Sequence, residues 1–544
     1  MELEKKHSCA LPGASAVFHI GWWHLMRLAK TCCRFYMSTA AASLYRSWQR
    51  QLRRICSRVQ LKAQELEREY DSEFQRSATT ATTKSASAPK EASVGARQRG
   101  LRMSSPLAVG AGTCESDLEA TAPTAPDATR KAAAPSGARE HHVRDANGRL
   151  CGFRNPWTSE ADPPPLKDIW RVRSVWNKET SRVTQEQRQA LQAAARTPDW
   201  SLVGNVEPQQ AAIAATWIGH ASFILQFPGR SDTDEATQPT NCTGRRYDLP
   251  NGITTVYLDP IFSERASPVS FLGPKRLVRA APLQECPLPD VVCISHNHYD
   301  HCDIGTIRAL VASARAQRRT ISWLVPLGVE SLLRDKNPLW GGQVPASHQI
   351  YELDWYEQRR LGRLEVTFVP AQHATGRTLW DRNQTLWGGW VLRDIETDFR
   401  CYFAGDTAYR VIREDDPSYP YPTEKEREQL AVQHTQRAPC PVFREIGDKW
   451  GPFDFAMIPI GAYSPRWFMS RFHVDPVDSV AIHRDVRARS SVAMHHSTFV
   501  LTDEGLGDPE RRLAQALTAA GLSSDDFLVW RHGETRLVYR KTTV

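Results

Sequence analysis

The stretch Ser295-His296-Asn297-His298-Tyr299-Asp300-His301 constrains this chain more than any other. It reads H-x-H-x-D-H and directly follows the apolar run Val291-Val292-Cys293-Ile294. A short apolar run bounded by polar residues predicts a buried strand. Three imidazoles and a carboxylate packed together at a strand's end form a ligand cluster. In an extended or turning chain His296 and His298 can point the same way. Asp300 and His301 then fall on the far side, where they could hold a second ion. Imidazole with carboxylate suits zinc and its first-row neighbours better than calcium or magnesium.

A two-ion site needs more ligands, and they too should sit at strand ends. The run Leu364 to Val369 is followed by Pro370-Ala371-Gln372-His373, and Phe399 to Ala404 by Gly405-Asp406-Thr407. Ser491-Val492-Ala493-Met494 is followed by His495. Alone, each of these residues is an ordinary polar residue after a strand. Together with the first cluster they describe a site assembled from the ends of separate strands.

The order H-x-H-x-D-H, His, Asp, His is similar to that of the metallo-β-lactamase superfamily. Longer stretches resemble the N-acylphosphatidylethanolamine-hydrolysing phospholipase D family. These are Thr216-Trp217-Ile218-Gly219-His220-Ala221-Ser222, Asp259-Pro260-Ile261-Phe262-Ser263, Gly273-Pro274-Lys275-Arg276 and Phe403-Ala404-Gly405-Asp406-Thr407. Gly451-Pro452-Phe453-Asp454, Pro459 to Met469 and His473-Val474-Asp475-Pro476 carry it further. The resemblance runs from about Gly148 to the C-terminus.

The resemblance implies that His296, His298 and His373 hold one zinc, that Asp300, His301 and His495 hold another, and that Asp406 bridges the two. It implies a phospholipase D in which a dizinc-bound hydroxide attacks phosphorus, with Asp406 and Asp300 as the catalytic carboxylates. The products would be N-acylethanolamine and phosphatidic acid, with no serine or cysteine nucleophile, so Ser222 and Ser295 read as structural. Tyr299 and His473 would lie near the substrate phosphate. Arg466 and Trp467 read as packing or rim residues, and His220 as a hydrogen-bonded histidine behind the ligands. The chain departs from the family pattern at Ala374, His496, Ser497 and Cys302, where Trp, Trp, Gly and Leu are usual. Other hydrolases on the same fold stay open: a lactonase, another phosphodiesterase, or an RNA-processing nuclease. A scaffold that has lost its metals fits less well, because all seven ligand positions hold competent residues.

Periodicity alone gives mixed α and β. Strands are expected at Ala211 to Ile218, Ser222 to Phe227 and Thr254 to Leu258, with a helical patch around Gln185 to Ala195. Asp303 can cap a helix whose Ile304, Ile307, Leu310 and Ala314 face inward, and Asp475-Pro476 starts another. The resemblance organises these into an αββα sandwich, two sheets face to face with helices outside. That catalytic domain is expected over 148–544, with insertions near 229–251 and 410–439.

Upstream, residues 5–64 contain no acidic residue but eleven Lys and Arg. Leu44, Trp48, Leu52, Ile55 and Val59 recur at helical spacing among arginines, which makes 1–70 a basic amphipathic region suited to a membrane surface. An acid-poor, Arg-bearing N-terminus also suits organelle targeting. Residues 71–147 turn to Ala, Ser, Thr, Pro and Gly and are expected to be a disordered linker. The net charge of +8 accommodates an anionic membrane or a phosphorylated substrate and does not by itself indicate nucleic acid. The 12 cysteines are scattered without a C-x-x-C pair, which points to a reducing compartment. The expected partners are a phospholipid and a peripheral membrane surface, not nucleic acid, in a cytoplasmic setting. A homodimer is compatible with this reading.

Overall fold

The computed structural model describes residues 139–157, 171–172, 182–207, 210–229, 252–269, 271–337, 340–378, 380–412 and 439–540. The expected amphipathic region, most of the expected linker, and the bodies of both insertions (230–251 and 413–438) lie outside the described residues.

Strand β1 (His142–Arg144) pairs with β2 (Leu150–Phe153) as a separate hairpin. Helix α1 (Gln185–Ala194) follows, opened by a capping box between Thr184 and Gln187. The first large sheet contains β3 (Ala212–Gly219), β4 (Ser222–Phe227), β5 (Thr254–Leu258), β6 (Val291–Cys293), β7 (Ser322–Pro326) and β8 (Gln349–Leu353). Its seventh strand, β16 (Thr535–Tyr539), comes from the end of the chain and pairs with β3. The second sheet orders β15 (Phe527–Leu528), β14 (Ser491–Met494), β13 (Phe455–Pro459), β12 (Arg400–Phe403), β11 (Gly389–Asp394), β10 (Leu364–Val369) and β9 (Gln358–Leu361).

Side-chain alternation explains why both faces of the first sheet are dry. Phe223, Leu225 and Phe227 of β4 join Val256, Leu258, Val291 and Cys293 in the core shared with the second sheet. Ile224, Tyr257 and Val292, one residue out of phase, face the other way. They meet Ile304, Ile307, Leu310 and Ala314 of helix α2 (Ile304–Ala316), whose first turn is capped by Asp303 accepting from the Gly305 N–H. On the second sheet α4 (Val442–Trp450) and α6 (Pro476–Asp485) contribute Phe443, Ile446, Val480 and Ile482 to the same central core as Met457 and Ile458. Two short helices, α3 (Glu330–Arg334) and α5 (Arg466–Met469), and a C-terminal α7 (Asp508–Ala519) complete the set among described residues. The arrangement is the αββα sandwich.

Strand direction then places the site. β5, β6, β7 and β8 pair in parallel, and β3 runs with them because both it and β5 are antiparallel to β4. In the second sheet β12, β13 and β14 are parallel, and β10 shares their direction through the antiparallel β11. The carboxyl ends of β3, β5 and β6, and of β10, β12 and β14, therefore each gather at one end of their sheet, where open α/β folds present ligand-binding groups.

The hairpin revises one boundary. β1 falls inside the stretch expected to be linker. Its composition is polar, but its order comes from far along the chain: His141 Nε2 and His142 Nε2 lie 2.7 and 2.9 Å from the Asp354 carboxylate. No local pattern reports such a pairing.

Candidate metal centre

Each candidate ligand, and each residue that backs one, stands where a strand stops. His220 follows β3, Asp259 follows β5, the segment 295–301 follows β6, His373 follows β10, Asp406 follows β12 and His495 follows β14. The chain turns sharply there: His220, Asp259 and His495 take positive φ of 54, 39 and 63°. Left-handed backbone in non-glycine residues is sparsely populated and concentrates at functional sites. Gly405 (φ 61°) has a separate reason, since a Cβ there would sit 2.7 Å from the Gly388 oxygen and 2.9 Å from the Ser295 Cβ.

The donors fall into two groups, within each of which the candidate ligand atoms lie inside 4.8 Å of one another: His296, His298, His373 and Asp406, and His220, Asp300, His301 and His495. In the first, the His298 Nδ1 is 2.9 Å from the His296 Nε2 and 3.4 Å from the His373 Nε2. The Asp406 Oδ2 is 3.8 and 3.7 Å from the Nε2 atoms of His296 and His373. In the second, the Asp300 Oδ2 is 3.6 and 3.7 Å from the Nε2 atoms of His301 and His495. Asp406 reaches this group too, at 3.1 Å from both of those nitrogens. It is thus the carboxylate between the groups.

These residues fit metal ions. His301 Nε2, His495 Nε2 and Asp406 Oδ1 are buried and make no hydrogen bond, the 3.1 Å approaches lacking the geometry for one. An unsatisfied buried polar atom costs ~1–3 kcal/mol, and a cation would satisfy all three at once.

The electrostatics of these side chains point the same way. Burial works to raise the carboxyls of Asp300 and Asp406, but the surrounding imidazoles hold both well below the usual range. Burial disfavours the charged ring of His495, yet Asp406 and Asp300 outweigh it and push the group up to about 9. The His301 ring is likewise raised by Asp406 and Asp300 against its burial. Burial and neighbouring imidazoles keep His296 well below its ordinary value. A deep negative charge pair is thus balanced by protons that a metal would replace.

A layer behind the donors orients them. Asp259 accepts from the Ser295 N–H (2.6 Å) and from its hydroxyl, and lies 2.7 Å from the His301 Nδ1. The His373 Nδ1 donates to the Phe472 carbonyl (2.8 Å). His220 Nε2 lies 2.9 Å from the Asp300 Oδ2, and burial above all takes its ring down to about 3, so it is neutral and donates. Arg377 was not singled out in the sequence. Its guanidinium donates to the carbonyls of Asn297 (2.8 Å) and Cys302 (2.9 Å), closing the ligand loop, and lies 3.9 Å from the Tyr299 ring centre. The Tyr299 hydroxyl in turn donates to the Arg377 carbonyl (2.9 Å).

His473 comes to the same place: its Nδ1 is 4.0 Å from the Asp406 Oδ2 and has no hydrogen-bond partner. Arg466 is fully buried and is no rim residue. It donates to the His473 carbonyl (2.7 Å) and pairs with Asp475 and Asp478. Ser222 bonds only to backbone, donating to the Asp259 carbonyl (2.7 Å) and accepting from the Ile261 N–H (3.0 Å). His496 lies 2.8 Å from Glu510, which also accepts from the Ser497 hydroxyl (2.6 Å).

A third His/Asp cluster, His141, His142 and Asp354, is no comparable site. The Asp354 carboxylate is already shared with Arg139 (2.7 Å), and Arg144 NH2 lies 3.5 Å from the His142 Nδ1. That contact leaves the proton on Nε2, the atom that would have to ligate.

Two packed sheets with outer helices and a His/Asp centre at their strand ends define a metallo-β-lactamase-fold hydrolase. Residues 254–415 and 435–496 match the family described as β-lactamase superfamily domain, so the chain carries a domain of that superfamily. It is homologous to the N-acyl-phosphatidylethanolamine-hydrolyzing phospholipase D 1 of Caenorhabditis elegans, 29% identical over 383 residues, which are 69% of this chain and 88% of that one. The mitochondrial enzyme of that name in Saccharomyces cerevisiae is 26% identical over 49% of this chain and 48% of its own length. An uncharacterized protein of Mycobacterium tuberculosis is 35% identical over 56% of this chain and 64% of its own.

Proposed function

We propose that this chain is a two-zinc phospholipase D that cleaves N-acylphosphatidylethanolamine into N-acylethanolamine and phosphatidic acid. The observation that carries the reading is the pair of donor groups meeting at Asp406, in a chain homologous over 69% of its length to an enzyme of that name. His296, His298 and His373 would hold one ion, Asp300, His301 and His495 the other, with Asp406 shared. Zinc bound there supplies Lewis acidity, which acidifies a water and offsets charge on the phosphodiester oxygens.

The chain's own residues do the rest. His296, His301, His373, Asp406 and His495 are at most 3% exposed, while His298 and Asp300 are partly exposed, so the centre is deep but open on their side. Burial outweighs Asp406 and keeps His473 well below its ordinary pKa. The ring is therefore neutral, and in its Nδ1–H form it can donate to a phosphate oxygen. Arg377 and Tyr299 fix the loop that carries three of the imidazoles. Water's oxygen joins phosphorus, the bond from phosphorus to the ethanolamine oxygen breaks, and that oxygen takes a proton.

The test is the zinc-loaded protein with N-acylphosphatidylethanolamine in mixed micelles made up in 18O-water. Both products should appear in equal amounts, with the label in phosphatidic acid. Label in the N-acylethanolamine would mean attack on carbon. Turnover of a lactone or a cyclic phosphodiester with none of the lipid would assign the site to another hydrolase of this fold.

A further inference from the structure

The motif Phe153-Arg154-Asn155-Pro156-Trp157 lies some hundred residues ahead of the span matched by the superfamily model, yet it reaches the centre. Asn155 is buried at the end of the N-terminal hairpin. Its Nδ2 donates to the His373 carbonyl at 2.9 Å, and its Oδ1 accepts from the His373 N–H at 3.3 Å. The Trp387 indole N–H, shared between the Ala371 carbonyl (3.0 Å) and the same Oδ1 (3.2 Å), agrees with that orientation of the amide. One side chain thus pairs with both peptide groups of a candidate metal ligand, as a neighbouring strand would.

The chain needs this because His373 has left the sheet. β10 ends at Val369, and buried N–H and C=O groups beyond it must find partners elsewhere. On one side Gln372 does so through the Asp406 loop, accepting from the Ala408 N–H (2.7 Å) while its own N–H donates to the Thr407 hydroxyl (3.0 Å). On the other side, among the described residues, the hairpin supplies the partner, and Asn155 spans the gap. The ring is held separately, by the bond from its Nδ1 to the Phe472 carbonyl.

We propose that Asn155 is a positioning residue for His373, so that the N-terminal hairpin, through this side chain, completes the site formed by His296, His298 and His373. The inference rests on the metal-centre reading above. Its test uses the full-length protein, stripped of metal and reloaded with cobalt(II), whose visible absorption reports ligand geometry. Asn155→Ala should weaken binding of the ion held by His373 by ~10-fold and shift its cobalt band, while the other ion binds as in wild type. Asn155→Leu, which keeps the branched shape but has neither donor nor acceptor and adds no charge, should move both readouts in the same direction. His142→Ala removes one bond from the hairpin to Asp354 while Arg139 and His141 still anchor it there, so Asn155 stays in place and the cobalt spectrum should be unchanged. Melting of the metal-free variants establishes that each folds. Folded Asn155 variants with wild-type affinity and spectrum would overturn the inference while leaving the metal centre intact. So would a His142→Ala spectrum shifted as far as that of Asn155→Ala. A wild-type chain that takes up no cobalt would instead overturn the metal-centre reading itself.

Discussion

At the scale of residues, Asp406 is the most sensitive point, because it stands between both donor groups. Asp406→Asn should lower kcat by more than ~100-fold, since a neutral amide bridges two cations poorly, and steady-state kinetics with metal analysis would measure it. Asp259→Asn should cost ~10–100-fold in metal affinity by releasing the His301 ring. The pKa shifts predict a pH dependence. In the metal-free protein His495 keeps its proton up to about 9, and a metal takes only the bare nitrogen. Metal uptake must therefore expel protons, and affinity should weaken as pH falls below about 9, by about tenfold per unit for each proton displaced. Calorimetry in buffers of different ionisation enthalpy would count those protons, and a pH-independent affinity would contradict the account. The donors themselves were legible in the sequence because they follow short apolar runs. Asp259, Arg377 and Asn155 were not, because each acts on a residue between 36 and 218 positions away. The motif Asp259-Pro260-Ile261-Phe262-Ser263 was visible, but nothing local says that its carboxylate lies against His301.

At the scale of elements, α2 joins the ligand loop to the core. It starts two residues after Cys302, and Asp303 both caps it and accepts from the N–H groups of Phe262 and Ser263. Leu310 is buried against the outer face of the first sheet. Leu310→Ala should cost ~2–5 kcal/mol in thermal or denaturant unfolding while leaving metal content unchanged, because the helix packs behind the loop and contributes no donor. Loss of metal without loss of stability would show that the helix sets the loop more directly than its packing implies. Strands β4, β5 and β10 match the expected spans residue for residue: β4 and β5 are buried on both faces, and in β10 Leu364, Val366 and Phe368 alternate with Glu365 and Thr367. The hairpin of β1 and β2 was missed for the opposite reason. Its turn is closed locally at Asp145, but its anchors are a carboxylate near β8 and a ligand after β10, which no local pattern reports.

At the scale of the whole molecule, among the described residues no helix is long and apolar enough to cross a membrane. The proposed contact with a lipid surface rests on the basic, acid-free stretch 5–64. Because the ordered hairpin begins near Arg139, the informative deletion ends before it. Removing residues 1–138 should spare hydrolysis of a short-chain soluble substrate and weaken sedimentation with anionic vesicles, and added salt should mimic the deletion. Equal vesicle binding by both forms would remove membrane contact from the account. The insertion near 410–439 begins at Arg410, whose guanidinium pairs with Asp478 of α6 (3.0 Å), four residues after Asp406. A Gly-Ser link in place of 413–438 should alter KM for lipid and spare metal content, because none of the seven proposed ligands lies within that stretch. Beneath all of this lies the claim that the two donor groups hold two ions. Elemental analysis of the purified, folded chain tests that most directly. It should find about two zinc ions per chain, falling in Asp406→Asn, as a shared carboxylate between two metals requires; a fully active protein containing no transition metal would contradict it.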